Sequence, residues 1–185
     1  MTVALIIIIV VVALVVIYLI AAYNGLIRRR NQVENAWAQI DVQLKRRLDL
    51  IPNLVETVKA YAAHERETLD AVINARNQAM SAPSTPAAQG AADTQLTGAL
   101  RQLFALSEAY PDLKANQNFL ALQEELTATE GRVAYARQFY NDSVLTYNNK
   151  LQAFPTVFIA RAMKFDRREY FETDEAARET PAVEF

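Results

Sequence analysis

The sequence predicts an all-α protein built on a single N-terminal transmembrane helix. Three observations carry that expectation. Residues 3–22, VALIIIIVVVALVVIYLIAA, contain no charge, and a helix of about 20 residues spans the ~30 Å hydrocarbon core of a bilayer. The 185 residues include only four Gly and six Pro, too few turn residues for many short strands. Beyond the apolar run, apolar side chains recur at spacings of three, four and seven, the repeat of one helix face.

The anchor comes first in order. A cleaved signal peptide fits residues 3–22 poorly. No positive segment precedes the run, the run is long for a signal core, and Ile20-Ala21-Ala22 is a poor cleavage site. A buried core helix fits poorly too, because it would be apolar on every face. Tyr18 and Tyr23 stand near the exit, where amphipathic rings favour the membrane–water boundary. Arg28, Arg29 and Arg30 follow, then Lys45, Arg46 and Arg47. Positive charge beside a span tends to stay cytoplasmic, so the N-terminus is expected outside and the rest of the chain inside the cell. Residues 1–23 are thus assigned to the anchor, 24–165 to a helical bundle and 166–185 to an acidic tail.

Within 24–165 the prolines punctuate. Leu26, Val33, Trp37, Ile40, Leu44 and Leu48 form one helical face over 24–47, and no clear breaker separates them from the span. Gly25 costs about 1 kcal/mol there. Lys45, Arg46 and Arg47 then read as cations opposing the negative end of a helix, and Asp49 as an acid opposing the positive start of the next. Pro52 is acceptable in a first turn, where its missing N–H had no partner. The expectation is a helix end, a tight turn and a second helix over 49–81. Val55, Val58, Ala62, Leu69, Val72 and Ala79 keep that helix in register, interrupted by Glu65 and Arg76. Residues 81–93, SAPSTPAAQGAAD, read as a flexible loop. Asp93 is the expected N-cap of a third helix over 94–108, with Leu96, Leu100 and Leu103 inward. Residues 110–116, YPDLKAN, break or kink the chain. The longest helix is expected over 118–153, with Phe119, Leu122, Leu126, Val133, Tyr140, Val144, Tyr147 and Leu151 inward. Phe154-Pro155 ends it, and TVFIARAMKF reads as a short amphipathic helix.

The search for chemistry is mostly one of exclusions. The chain has no Cys, which removes disulfides, thiolate zinc and thiol catalysis. The net charge of −2 projects no field toward nucleic acid. His64-Glu65 resembles the opening of H-E-x-x-H, but position 68 is Thr68. A di-iron bundle needs Glu-x-x-His twice, and Tyr61 stands three residues before His64. No phosphate-binding loop, G-x-S-x-G or second His is present. The expectation is no catalytic residue, no metal and no cofactor. Tyr140-Asn141 and Tyr147-Asn148 recur one heptad apart. They suit ring packing with paired hydrogen bonds, or a polar-aromatic strip that contacts a partner. The closing PAVEF offers Val183 and Phe185 either to dock on the bundle or to be read by a partner. Of the six cations after the span, only Arg28, Arg29 and Arg30 lie beside the bilayer. The second trio would sit roughly 25 Å further along a continuous helix.

Residues 36–65, AWAQIDVQLKRRLDLIPNLVETVKAYAAHE, resemble the central motif of the bacterial LemA family. Residues 107–155 are similar to its second half, and F…YF with PAVEF to its C-terminus. The resemblance covers about 23–185. It implies one membrane span followed by an antiparallel bundle of long helices, in the bacterial cell membrane, and no nameable enzymatic activity. Ala60 and Lys164 stand where many relatives are expected to have Gly, and Lys164 argues against a tight turn before Phe165.

The functional expectation is a single-pass, membrane-anchored, non-enzymatic scaffold or adaptor of the lipid bilayer. It would self-associate as a homo-oligomer or bind another membrane-associated protein, and would bind no nucleic acid. A regulatory subunit of a membrane protease or transporter is the alternative. A metal-dependent enzyme using carboxylates such as Glu56, Glu65 and Glu130 is the rival from another class.

Overall fold

The computed structural model describes residues 1–171. Among them there are no strands. The helices are α1 (Thr2–Tyr61), α2 (Arg66–Ser81), α3 (Pro86–Ser107), α4 (Pro111–Lys114), α5 (Gln117–Gln152) and α6 (Thr156–Ala162). The apolar start of α1 is long and apolar enough to cross a membrane, with a mean hydropathy of 3.7. Its side chains remain uncovered until Ala22. The chain divides into two compact units. One joins residues 1–38 to 138–169, and the other joins 39–137 to 170 and 171.

In the first unit α1 and α5 run antiparallel. Trp37 meets Tyr140 with ring centroids 5.5 Å apart, while Lys150, later on α5, shares a cleft with the earlier Gly25. Leu26, Val33 and Ala36 of α1 bury their side chains with Val144, Tyr147 and Leu151 of α5 and Ala160 of α6. The three-and-four spacing on each helix makes this seam. Lys164 caps α6 in the left-handed region, with φ of 54°. The Phe165 N–H donates to the Ala160 carbonyl at 2.9 Å, and the Lys164 N–H to the Arg161 carbonyl at 3.3 Å. These two bonds make a Schellman turn, whose left-handed position usually belongs to Gly. The tight turn that Lys164 argued against is therefore present. Its closing hydrogen bonds offset the left-handed penalty of roughly 1–2 kcal/mol.

In the second unit α1 and α5 are again antiparallel. Arg46 pairs with Glu125, and Tyr61, farther along α1, accepts from Asn116, just before α5. The core comprises Ile51, Leu54 and Val58 of α1, Leu69 and Val72 of α2, Leu96, Leu100 and Leu103 of α3, and Phe119 and Leu126 of α5.

The helix boundaries differ from the expected ones at two places. No turn follows Arg47: α1 continues through Pro52 to Tyr61, and the chain reverses at 62–65 instead. Pro52 has no N–H to offer the carbonyl four residues back, that of Leu48. Arg76 of α2 fills the gap, with its Nε donating to the Leu48 oxygen at 3.0 Å. Nor does α3 begin after Asp93. It begins at Pro86, where proline's preset φ suits the first position, and Thr85 is its N-cap, accepting from the Ala88 N–H at 3.4 Å. Much of the expected flexible loop 81–93 is thus helix, with 82–85 as the connection.

Candidate functional site

Asp93 lies on a buried face of α3 because it has a charge to meet. Arg47 Nη1 donates to its Oδ1 at 2.7 Å, with both side chains almost wholly buried. Glu130 of α5 approaches the other terminal nitrogen of Arg47 at 3.8 Å and reaches Arg101 at the same distance. Arg46 meets Glu125 at 2.6 Å, and Arg132 meets it at 3.3 Å. The cations expected at a helix end therefore stand mid-helix. Lys45 is in an i,i+4 pair with Asp49 at 3.6 Å. This ionic layer ties α1 to α3 and α5 inside the second unit. Such a buried pair is weak evidence of added stability, because the cost of desolvating both ions offsets their attraction.

The carboxylates of the metal-enzyme reading fall into separate roles. Glu56 is exposed. Glu65 accepts from the Tyr110 hydroxyl at 2.7 Å, and that bond, with desolvation and the carboxylate's charge, raises the Tyr110 pKa. Glu130 belongs to the ionic layer. Among the described residues no three His, Asp or Glu side chains are grouped to hold a metal. His64 is exposed in the turn between α1 and α2.

The most organised polar feature of the first unit is built from the tyrosine–asparagine repeat of α5. One heptad separates Tyr140 from Tyr147, so both face the same way. Their side chains are buried and their hydroxyls reach the non-helical segment after α6. Tyr140 Oη donates to the Glu169 carbonyl at 2.9 Å, and Tyr147 Oη to the Asp166 carbonyl at 3.1 Å. Asn148, also buried, uses both ends of its amide. Nδ2 donates to the Arg168 carbonyl at 2.9 Å, and Oδ1 accepts from the Arg168 N–H at 3.0 Å. Arg168 then reaches back to Glu34 of α1 at 3.0 Å. The four-point clasp holds residues 166–169 along α5. It recognises backbone rather than side chains. Burial raises the pKa of both tyrosines, against a lowering by Arg168, so their O–H donors stay protonated.

Of the sequence-derived contact residues, the structure brings together Tyr140, Tyr147 and Asn148. Asn141 is half-buried beside them. Val183 and Phe185 lie outside the described residues. Sequence reasoning named Arg47, Asp93 and Arg76 but missed that Arg47 pairs with Asp93 and that Arg76 serves the Leu48 carbonyl. The stripe interruption at Arg76 was visible, but its acceptor, a carbonyl 28 positions away, carried no local signal.

Comparison with known proteins identifies the family. A family model described as the LemA family matches residues 36–185. Protein LemA of Metamycoplasma hominis is 26% identical over 158 residues, covering 84% of this chain and 71% of the relative. Magnetosome protein MamQ of Magnetospirillum gryphiswaldense is 26% identical over 190 residues, covering 89% and 70%. Magnetosome protein MamQ 2 of Paramagnetospirillum magneticum is 25% identical over the same length and shares. An apolar N-terminal helix leads into helices whose residues match the family model over most of their length, and the chain belongs to the LemA family.

Proposed function

We propose that this chain is a non-enzymatic scaffold or adaptor, anchored to the bacterial cell membrane by one span with its helices in the cytoplasm. The observation that carries this reading is the continuity of α1. The same 60-residue helix holds the apolar run and contributes core side chains beyond it. A span joined to a fold by unbroken helix suits a protein that presents a surface at a fixed place on a membrane. The polar groups best placed for chemistry are engaged within the chain, by the ionic layer and the α5 clasp.

The partner in this reading is a second copy of the chain or another membrane-associated protein. The clasp of Tyr140, Tyr147 and Asn148, with Asn141 beside it, fixes where the C-terminal segment starts. Val183 and Phe185 at its end supply the contact. The test places a photo-crosslinking residue next to Phe185 in the full chain in native membranes. Adducts to a second copy or to one defined membrane protein are expected, and they should disappear when Val183 and Phe185 are both changed to Ala. A chain that stays monomeric in membranes and yields no adduct overturns the reading.

A further inference from the structure

We propose that the α5–α6 corner of the first unit is a second membrane contact, seated on the anionic phospholipid surface beside the span. Arg28, Arg29 and Lys150 would face the headgroups, and Phe154, Phe158 and Met163 would enter the boundary. The inference rests on the apolar run of α1 crossing the bilayer. Three observations then place the corner. Ala22, the last residue of the run, is already covered by the folded unit, so the fold begins flush with the end of the span. Lys150 shares a cleft with Tyr18, Ala21 and Ala22 of the span and with Arg28 and Arg29 just beyond it. The end of antiparallel α5 therefore stands level with the membrane exit. Helix α5 ends at Gln152, so Phe154 follows Lys150 within about one turn's length of chain, and after α6 Phe165 returns to Tyr23 with ring centroids 5.9 Å apart.

What the corner exposes is the wrong chemistry for water and the right chemistry for a bilayer surface. Phe154 and Phe158 meet edge to face at 6.0 Å and are 81% and 62% exposed. Met163 is 60% exposed. Thr156 and Ala160, on the opposite side of α6, are buried. Within α6 Phe158 thus turns outward while Thr156 and Ala160 turn inward, and Phe154 and Met163 stand exposed just beyond its two ends. Aromatic rings flanked by cations are the composition of boundary-seated helices. Residues 150–168 hold five cations, Lys150, Arg161, Lys164, Arg167 and Arg168, against one acid, Asp166. In a chain of net charge −2 this is a local reversal of sign. It complements the negative surface potential of anionic lipids.

The absence of Cys allows single-site labelling of the full chain. Variants Phe154→Cys, Phe158→Cys, Gln138→Cys and Val11→Cys, each carrying an environment-sensitive fluorophore, are reconstituted in two kinds of vesicle. One is phosphatidylcholine, and the other is equal parts phosphatidylcholine and phosphatidylglycerol. Gln138 is exposed and lies about 21 Å back along α5 from Gln152, so it reports water. Val11 reports the span. In the mixed vesicles, labels at 154 and 158 should be quenched by iodide severalfold less than the label at 138, and quenched by nitroxide-bearing lipid. That protection should weaken in phosphatidylcholine alone. It should weaken equally in mixed vesicles when Arg28, Arg29 and Lys150 are all changed to Gln. Aqueous quenching at 154 and 158 equal to that at 138, with the label at 11 protected, overturns the contact while leaving the anchor standing. It would instead favour a protein covering the corner. Exposure of the label at 11 as well removes the span on which the inference rests. Protection insensitive to lipid charge and to the Gln changes overturns the assignment to anionic headgroups.

Discussion

Arg47 is the residue whose environment is least forgiving. Its guanidinium is buried and its Nε has no hydrogen-bond partner in the structure, so its charge depends on Asp93 at 2.7 Å and Glu130 at 3.8 Å. Asp93→Ala leaves a buried cation facing only the longer contact, and should destabilise the chain by about 3–5 kcal/mol. Replacing both partners with apolar residues, Arg47→Met with Asp93→Leu, should recover most of that loss, because the desolvation cost of both ions disappears. Urea unfolding of the full chain in detergent micelles, followed by helical circular dichroism, measures both. A loss below about 1 kcal/mol for Asp93→Ala would show that the pair behaves like an exposed one. The clasp tyrosines make a second prediction at this scale. Burial raises the folded pKa of Tyr140 and Tyr147 above the ordinary value near 10. For an acid whose folded pKa is raised, the stabilising contribution is complete below the unfolded pKa. It is lost as pH rises through the folded value. The chain should therefore lose stability above about pH 10, with phenolate absorbance rising as the clasp releases. Tyr147→Phe removes one donor to the Asp166 carbonyl. It should cost about 0.5–1.5 kcal/mol at neutral pH and flatten the alkaline part of the profile.

Among the elements, α1 shows how a helix can carry proline in its interior. Pro52 should break or kink it, because one hydrogen bond is missing and the ring crowds the preceding turn. Arg76 replaces the lost donor at the Leu48 carbonyl. Arg76→Met leaves that carbonyl without its partner and should cost about 1–3 kcal/mol. Pro52→Ala restores a backbone N–H at the right place, so the same Arg76→Met change should then cost much less. A double-mutant cycle by urea unfolding reads the coupling, and additive losses would show that Arg76 does not serve the carbonyl. The same contact explains what was legible in the sequence and what was not. Periodicity identified the length and inward face of α5 to within a residue at each end, because a three-and-four repeat sustained along a 36-residue helix is a local property. It also found α6, and the break before α5. It placed a turn after Arg47 because Pro52 and the clustered charges look, locally, like a helix start. The cancelling facts were non-local: an arginine on α2 for the proline, and Asp93, 46 positions away, for the cation. Asp93 was read as a cap for the same reason. A small polar acid near a proline-bearing stretch has that local appearance, and only the fold shows it buried. The tyrosine–asparagine repeat announced its face and its need for hydrogen-bond partners. It did not announce that the acceptors would be backbone groups of 166–169, since those carry no side-chain pattern.

At the scale of the whole molecule the charge distribution around the span makes an orientation prediction. Arg28, Arg29 and Arg30 follow the apolar run closely. Positive charge beside a span favours the cytoplasmic side, which is the orientation expected of this flank. That side also has the leaflet richer in anionic lipid, so one orientation satisfies both the insertion rule and the cationic α5–α6 corner. The two requirements are separable. In spheroplasts an external protease should remove an N-terminal tag and spare a C-terminal one. Inserting three lysines after Met1 while changing Arg28 and Arg29 to Gln weakens the asymmetry without touching Arg30, which stacks on Phe165. A substantial fraction of C-terminal tags should then become cleavable. If the unaltered chain already loses its C-terminal tag, the helices lie outside the cytoplasm, and flanking charge is not what sets their side.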